Sequence, residues 1–242
     1  MLSKNEIKNL RLLHQKKYRD IRKQFLVEGE RIISDLVERH PDKVARIFVS
    51  RNFDLSHDLS GVQNLQEVDN LILSQLAVSK NPQGIVALVD YPEQKFNEAD
   101  FILVLDNIQD PGNFGTIIRS AAWFGCNQIV CSLNTVDFCN PKVVQASMGT
   151  IFDVHIVYCD LPPFLEKQNR PIYGAMLNGV SLQSSRLEVP SVLIMGNEGS
   201  GISGEVHAYI TKPLAIPKYG VGESLNVASA TAIFLHTFAS VR

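Results

Sequence analysis

Phe101-Ile-Leu-Val-Leu-Asp106, with the loop Asn107-Ile-Gln-Asp-Pro-Gly112 and a helical stretch from about 113 to 124 closed by Gly125, decides how this chain folds. A short apolar run ending in an acid suits a strand covered on both faces, as in a parallel sheet. The helix arriving a few residues later is the crossover that parallel strands require. Outward from this unit the alternation repeats. Strands are expected at Gln128–Ser132, Asp153–Val157, Ile172–Met176, Ser191–Gly196 and Thr211–Ile216, with helices between most of them. A long final helix begins near Leu225. The class is α/β, with a mainly parallel sheet in the C-terminal part.

On the N-terminal side, Ser3-x-x-Glu6 forms a capping box, and Ile7, Leu10 and Leu13 follow at helical spacing. A helix over about 4–16 puts Lys4, Lys8, Arg11, Lys16 and Lys17 on or near its wet side, and Arg19, Arg22 and Lys23 in the turn beyond. A helix near 28–39, a strand at Ala45–Ser50, a helix near 69–77 and a strand at Gly84–Asp90 complete a small α/β domain over 1–90. The polar stretch Tyr91–Asp100 breaks the periodicity and reads as a linker, leaving 101–242 as the second domain.

Composition excludes several classes. With 242 residues, 45% apolar and 20% charged, the chain is neither disordered nor collagen-like. Its net charge of −2 hides an asymmetry: residues 1–51 hold 13 Lys and Arg against 7 Asp and Glu, so the remainder is acidic. A basic first fifth fits a polyanion partner near the N-terminus as well as it fits a solvated helix face. The four cysteines, at 126, 131, 139 and 159, form no C-x-x-C pair, and no histidine cluster offers zinc spacing. They read as small buried hydrophobes of a reducing compartment, and no metal is expected. The first 25 residues lack a signal-peptide core, and the charge-free stretch Ser224–Val241 carries too many polar residues for a membrane span. A cytoplasmic protein without membrane attachment is the expectation.

In a parallel sheet, ligands collect beyond the carboxyl ends of the strands. Three segments there carry unusual residues. In Asp110-Pro-Gly-Asn-Phe-Gly-Thr-Ile-Ile-Arg119, Asn113 is placed to cap the helix, and Arg119 is either half of a buried pair or a clamp for phosphate or carboxylate. Gly196-Asn-Glu-Gly-Ser-Gly201 offers free backbone groups, yet it lacks both the P-loop lysine and the dinucleotide glycine order. Glu198 within it would repel phosphate, so an uncharged or cationic ligand fits better. In Ile216-Pro-Lys-Tyr-Gly-Val-Gly-Glu-Ser-Leu-Asn226, the run Gly-Glu-Ser-Leu-Asn approaches the hydrolase elbow, but Asn226 stands where its second glycine belongs. No histidine is placed as a base, and His236 reads as a core residue. Ser224 reads as the N-cap of the final helix.

Together these segments resemble the three motifs of the SpoU (TrmH) family of RNA ribose methyltransferases, within the SPOUT class. Asn113-Phe-Gly-Thr-Ile-Ile-Arg119 is similar to the first motif and Gly196–Gly201 to the second. Ile216-Pro217 with Ser224-Leu-Asn-Val227 is similar to the third. Asn81-Pro-Gln-Gly84 before a strand resembles the end of the family's N-terminal substrate-binding domain; Lys218 departs from a commonly apolar position. The resemblance implies a deep trefoil knot, which runs against the general rule for chains. It also implies S-adenosylmethionine as cofactor, a homodimer, and methylation of a ribose 2′-hydroxyl, with 23S rRNA ahead of tRNA. Carried over by residue, Gly196, Ile216 and Leu225 line the cofactor pocket. Asn113, Arg119, Glu198, Ser224 and Asn226 form the catalytic cluster. Lys8, Arg11, Lys16, Lys17, Arg19, Arg22 and Lys23 are candidates for RNA phosphate. A catalytically silent RNA-binding relative, a base-nitrogen methyltransferase and, more distantly, a nucleotide-binding oxidoreductase are the competing readings.

Overall fold

A computed structural model describes residues 2–51, 53, 64–79 and 82–241. Asn81, quoted above for the family resemblance, lies outside the described residues. The chain divides into two compact units: Met1–Pro92 with Cys139–Phe152, and Glu93–Phe138 with Asp153–Arg242.

The first unit opens with α1 (Lys4–Arg11), whose capping box forms: Ser3 Oγ accepts from the Glu6 amide at 3.2 Å, and Glu6 Oε2 from the Ser3 amide at 2.8 Å. The single helix expected over 4–16 is instead broken. A 3₁₀ turn at Leu12–His14 separates α1 from α2 (Lys16–Arg22), and Lys23 closes α2 in the left-handed region at φ 52°. Arg19 and Arg22 are therefore helical residues, not turn residues. β1 (Gln24–Glu28), α3 (Glu30–Arg39), β2 (Val44–Ser50), β3 (Leu65–Val68), α4 (Asn70–Leu76) and β4 (Ile85–Asp90) follow. The sheet order is β1-β4-β2-β3, antiparallel except where β3 joins β2. Leu10, Leu13, Leu26, Phe48, Leu73, Leu76 and Val86 make one apolar cluster between helices and sheet. The later segment Cys139–Phe152 belongs to this unit: α6 (Pro141–Ser147) packs on β1, and Phe152 stacks on Phe25 with centroids 6.1 Å apart.

The second unit is a six-stranded sheet in which every ladder is parallel. Its strands are β5 (Phe101–Leu105), β6 (Gln128–Ser132), β7 (His155–Cys159), β8 (Ile172–Ser181), β9 (Ser191–Met195) and β10 (Lys212–Ala215). The order is β10-β8-β9-β5-β6-β7. β5 and β9 lie at its centre with every residue buried, which is why they read as unbroken apolar runs. α5 (Pro111–Trp123) and α9 (Val227–Ala239) pack on each other, and α7 (Leu161–Glu166) packs on α8 (Gly204–His207). The β8–β10 ladder skips: Pro213 pairs with Gly174, but Leu214 pairs with Val180, so Ala175–Gly179 leave the pairing. A Cβ on Gly179 would stand 2.5 Å from the Leu214 carbonyl carbon, so the chain passes here only as glycine.

Candidate functional site

The loop after β5 turns on Asn107, a non-glycine residue at φ 59°. Its amide donates to Ser132 Oγ at 2.8 Å, and its carbonyl accepts from Asn197 Nδ2 at 2.8 Å. Asp110, not Asn113, caps α5: its Oδ1 accepts from the Asn113 amide at 2.7 Å, with Pro111 at the first helical turn. Asn113 therefore sits inside the helix with its side chain released from capping. That side chain donates from Nδ2 to Glu198 Oε1 at 2.9 Å and accepts at Oδ1 from Asn226 Nδ2 at 2.9 Å.

The glycine loop is closed by two backbone bonds between Asn197 and Gly201, at 2.9 and 3.0 Å. Asn197 Oδ1 accepts from the amides of Gly199 and Ser200 at 2.9 and 3.1 Å. Asp106, only 5% exposed at the end of β5, accepts from the Ser203 amide at 2.7 Å and ties down the loop's far side. A Cβ on Gly196 would meet the Gly201 carbonyl carbon at 2.3 Å and the Ile202 nitrogen at 2.4 Å. Position 196 admits glycine alone.

The third segment ends on Asn226, which caps α9 by accepting from the amides of Ala228 and Ser229 at 2.9 and 3.3 Å. The cap expected at Ser224 is thus two residues further on, and Ser224 is exposed beside the cavity. His236 is also exposed, its ring 5.7 Å from that of Phe124, so it is not the core residue expected.

These segments enclose a cavity of about 540 Å³. Met195–Gly199 and Gly201 form one wall, Ile216–Leu225 a second and Ala175–Leu177 a third, so Gly196, Glu198, Ile216, Ser224 and Leu225 all line it. The charged lining residues are Glu198, Glu223 and Lys218, a balance that favours a cation over a polyphosphate. The size suits a nucleoside-sized ligand held by backbone groups and apolar surface. A sulfonium nucleoside such as S-adenosylmethionine fits both the shape and the charge. Arg119 lies exposed on α5 and its side chain makes no ion pair or hydrogen bond with any described residue, which removes the buried-pair reading.

Sequence reasoning did not single out Asp106, Asp110, Asn197 or the Ala175–Leu177 wall. An acid closing an apolar strand and an Asn inside a glycine loop were the available signals. The wall had none, because it depends on the skipped ladder.

Of the candidate phosphate contacts, Lys8, Arg11, Lys16, Lys17, Arg22 and Lys23 are exposed. Arg19 is not such a contact. It is 3% exposed and donates from Nη1 to the carbonyls of Leu13 at 3.1 Å and His14 at 2.9 Å, holding the corner between α1 and α2. Lys16 pairs with Asp20 at 2.5 Å. Burial pushes the Asp20 carboxyl up, but Lys16 and the Tyr91 hydroxyl outweigh it and hold the group below its ordinary range.

Among the described residues, no helix is long and apolar enough to cross a membrane. Residues 100–236 match the SpoU rRNA Methylase family, and residues 4–87 match the MRM3-like substrate binding domain. The chain is 33% identical over 240 residues to the 23S rRNA (guanosine(2553)-2′-O)-methyltransferase RlmP of Bacillus subtilis, covering 97% of this chain and 96% of RlmP. A TrmH-family structure from Porphyromonas gingivalis superposes with a TM-score of 0.87 at 34% identity, covering 100% of both chains. An AdoMet-bound rRNA methyltransferase from Sinorhizobium meliloti gives 0.81 at 28% identity, covering 98% of this chain and 95% of that one. With its parallel-sheet unit matched almost end to end and a full-length relative at this identity, the chain belongs to the SpoU rRNA methylase family.

Proposed function

We propose that this protein methylates a ribose 2′-hydroxyl of structured RNA, in 23S rRNA, using S-adenosylmethionine. The observation that carries the proposal is Asn113 joining Glu198, which lines the glycine-walled cavity, to Asn226, the neighbour in sequence of the lining residue Leu225. Three segments far apart in sequence are thereby locked into one geometry. RlmP, which matches over nearly the whole chain, supports the rRNA substrate, and the AdoMet-bound Sinorhizobium structure supports the cofactor.

When bound, the cofactor supplies an electrophilic methyl carbon on a sulfonium. Gly196, Ile216 and Leu225 hold it through the walls they form, with Glu198 and Glu223 favouring its positive charge. Asn113, Glu198 and Asn226 fix the rim where the ribose docks, and orientation of this kind supplies much of the acceleration in a group transfer. Arg119 grips the adjoining RNA phosphate and stabilises the developing alkoxide. A guanidinium keeps its proton, its pKa being above about 12, so the hydroxyl proton passes to a phosphate oxygen or another acceptor. Ser224, exposed beside the cavity, donates to the incoming ribose or phosphate.

The family's trefoil knot is the device that brings 196–201 and 216–226 together in this proposal. A homodimer completes it, supported by Trp123 (84% exposed) and Ile233 on the paired helices α5 and α9. Four free cysteines support a reducing cytoplasm. Calorimetry with S-adenosylmethionine, then transfer of a tritiated methyl group to rRNA and to tRNA, tests the reading. Alkali-resistant dinucleotides from rRNA are the expected product; label on a base, or no affinity for the cofactor with or without RNA, overturns it.

A further inference from the structure

The corner between α1 and α2 holds a second concavity, of about 300 Å³, lined by Lys8, Arg11, Leu12, His14 and Gln15. The corner is fixed from inside by the buried Arg19, which bonds the carbonyls of Leu13 and His14. Most of the nearby cations are already engaged. Lys16 pairs with Asp20, and Arg22 donates to the Asn9 carbonyl at 3.2 Å. Lys17 and Lys23 lie over the rings of Tyr18 and Tyr91. Lys8 and Arg11 are different: exposed, three residues apart on one helix, and with side chains that make no ion pair or hydrogen bond to any described residue.

His14 supplies the third feature. Its Nε2 lies 2.9 Å from the carbonyl oxygen of Leu76, the last residue of α4. A carbonyl only accepts, so Nε2 carries the hydrogen, and in the neutral ring Nδ1 keeps its lone pair. The ring is thus anchored as a hydrogen-bond acceptor in a cleft shared with two unpaired cations.

We propose that this cleft grips one ribose-phosphate step of the RNA substrate: Lys8 and Arg11 take the phosphate, and His14 Nδ1 accepts from the 2′-hydroxyl. The identity of the ligand rests on the methyltransferase reading, but the cleft shares no residue with the cofactor cavity. A deoxyribose strand offers the same phosphate without the hydroxyl donor, so the cleft selects RNA over DNA.

Anisotropy titrations of the full chain, over a range of KCl, with a single-stranded RNA and the deoxyuridine-containing DNA of the same sequence test this. The double variant Lys8→Ala/Arg11→Ala is expected to lower the slope of log affinity against log salt by about 0.7, the loss of one phosphate contact, leaving the RNA-to-DNA ratio unchanged. His14→Ala is expected to narrow that ratio about fivefold and leave the slope unchanged. An unchanged slope in the double variant overturns the phosphate grip. Equal loss of RNA and DNA affinity in His14→Ala overturns the ribose contact, because a merely structural role for the Leu76 bond weakens both strands alike. Equal affinity of the unaltered protein for the two strands overturns it without any variant. Calorimetry with S-adenosylmethionine on the same preparations separates the two readings: loss of cofactor binding in the unaltered protein sinks the methyltransferase, whereas a methylating protein indifferent to these substitutions sinks only the cleft.

Discussion

Asn113 and Glu198, 85 positions apart in the chain, share a hydrogen bond of 2.9 Å, and the donor is the Asn113 side chain, not its backbone. The division of labour follows from the cap. Asp110 satisfies the Asn113 amide, so the side chain spans Glu198 and Asn226. Asn113→Ala is expected to lower the methyl-transfer rate about 10²-fold by loosening the rim, with the unfolding midpoint nearly unchanged. Single-turnover assays beside urea melts check this.

Asp110→Ala has the complementary signature. It removes the cap of α5 and is expected to destabilise the fold by about 1 kcal/mol, measured as a shift in urea midpoint at constant m-value.

Arg119→Lys keeps the charge and loses the planar fork. At saturating RNA the single-turnover rate is expected to fall about tenfold or more, since an ammonium cannot reproduce bidentate contacts to phosphate. A rate close to that of the unaltered protein would remove the clamp from the mechanism.

Gly196→Ala and Gly220→Ala compare two glycines on different walls of the same cavity. The first places a Cβ inside backbone atoms and is expected to abolish cofactor binding and cost about 1–3 kcal/mol of stability. The second meets nothing within 4 Å and is expected to change stability by less than about 0.5 kcal/mol. Calorimetry and thermal melts distinguish them.

Burial pushes the Cys131 thiol well above its ordinary range, and burial followed by Asp160 raises Cys159. A folded pKa above the unfolded value gives stability that is complete below the unfolded pKa and lost as pH rises. The denaturation midpoint is therefore expected to fall once pH passes about 8.5, where the unfolded chain ionises its thiols. A thiol reagent at neutral pH should react slowly with the native protein and with all four cysteines in denaturant.

The parallel sheet was legible because β5 and β9 are covered on both faces, which forces unbroken apolar runs into the sequence. β1 and β3 carried weaker signals. Gln24–Glu28 follows directly on a left-handed residue, and Leu65–Val68 is an edge strand with only its last residue buried. The residues of the candidate site were legible, but their local duties were not. Two acceptors compete for each helix start, and Asp110 and Asn226 won over Asn113 and Ser224 through tertiary geometry. Arg19 reads as one more surface cation because charge patterning cannot register that the turn at Leu12–His14 folds its guanidinium inward. The skipped β8–β10 ladder involves residues with no periodic signature at all.

The placement of Cys139–Phe152 has a consequence for modularity. Phe152 lies against both Phe25 and His40, and α6 covers β1, so the first unit is assembled from two stretches of chain. Cutting the polypeptide at Pro92 would strip an apolar flank from that unit and leave it prone to self-association. A chimera that exchanges this unit between relatives has to transplant both stretches, or the grafted piece arrives without part of its own core.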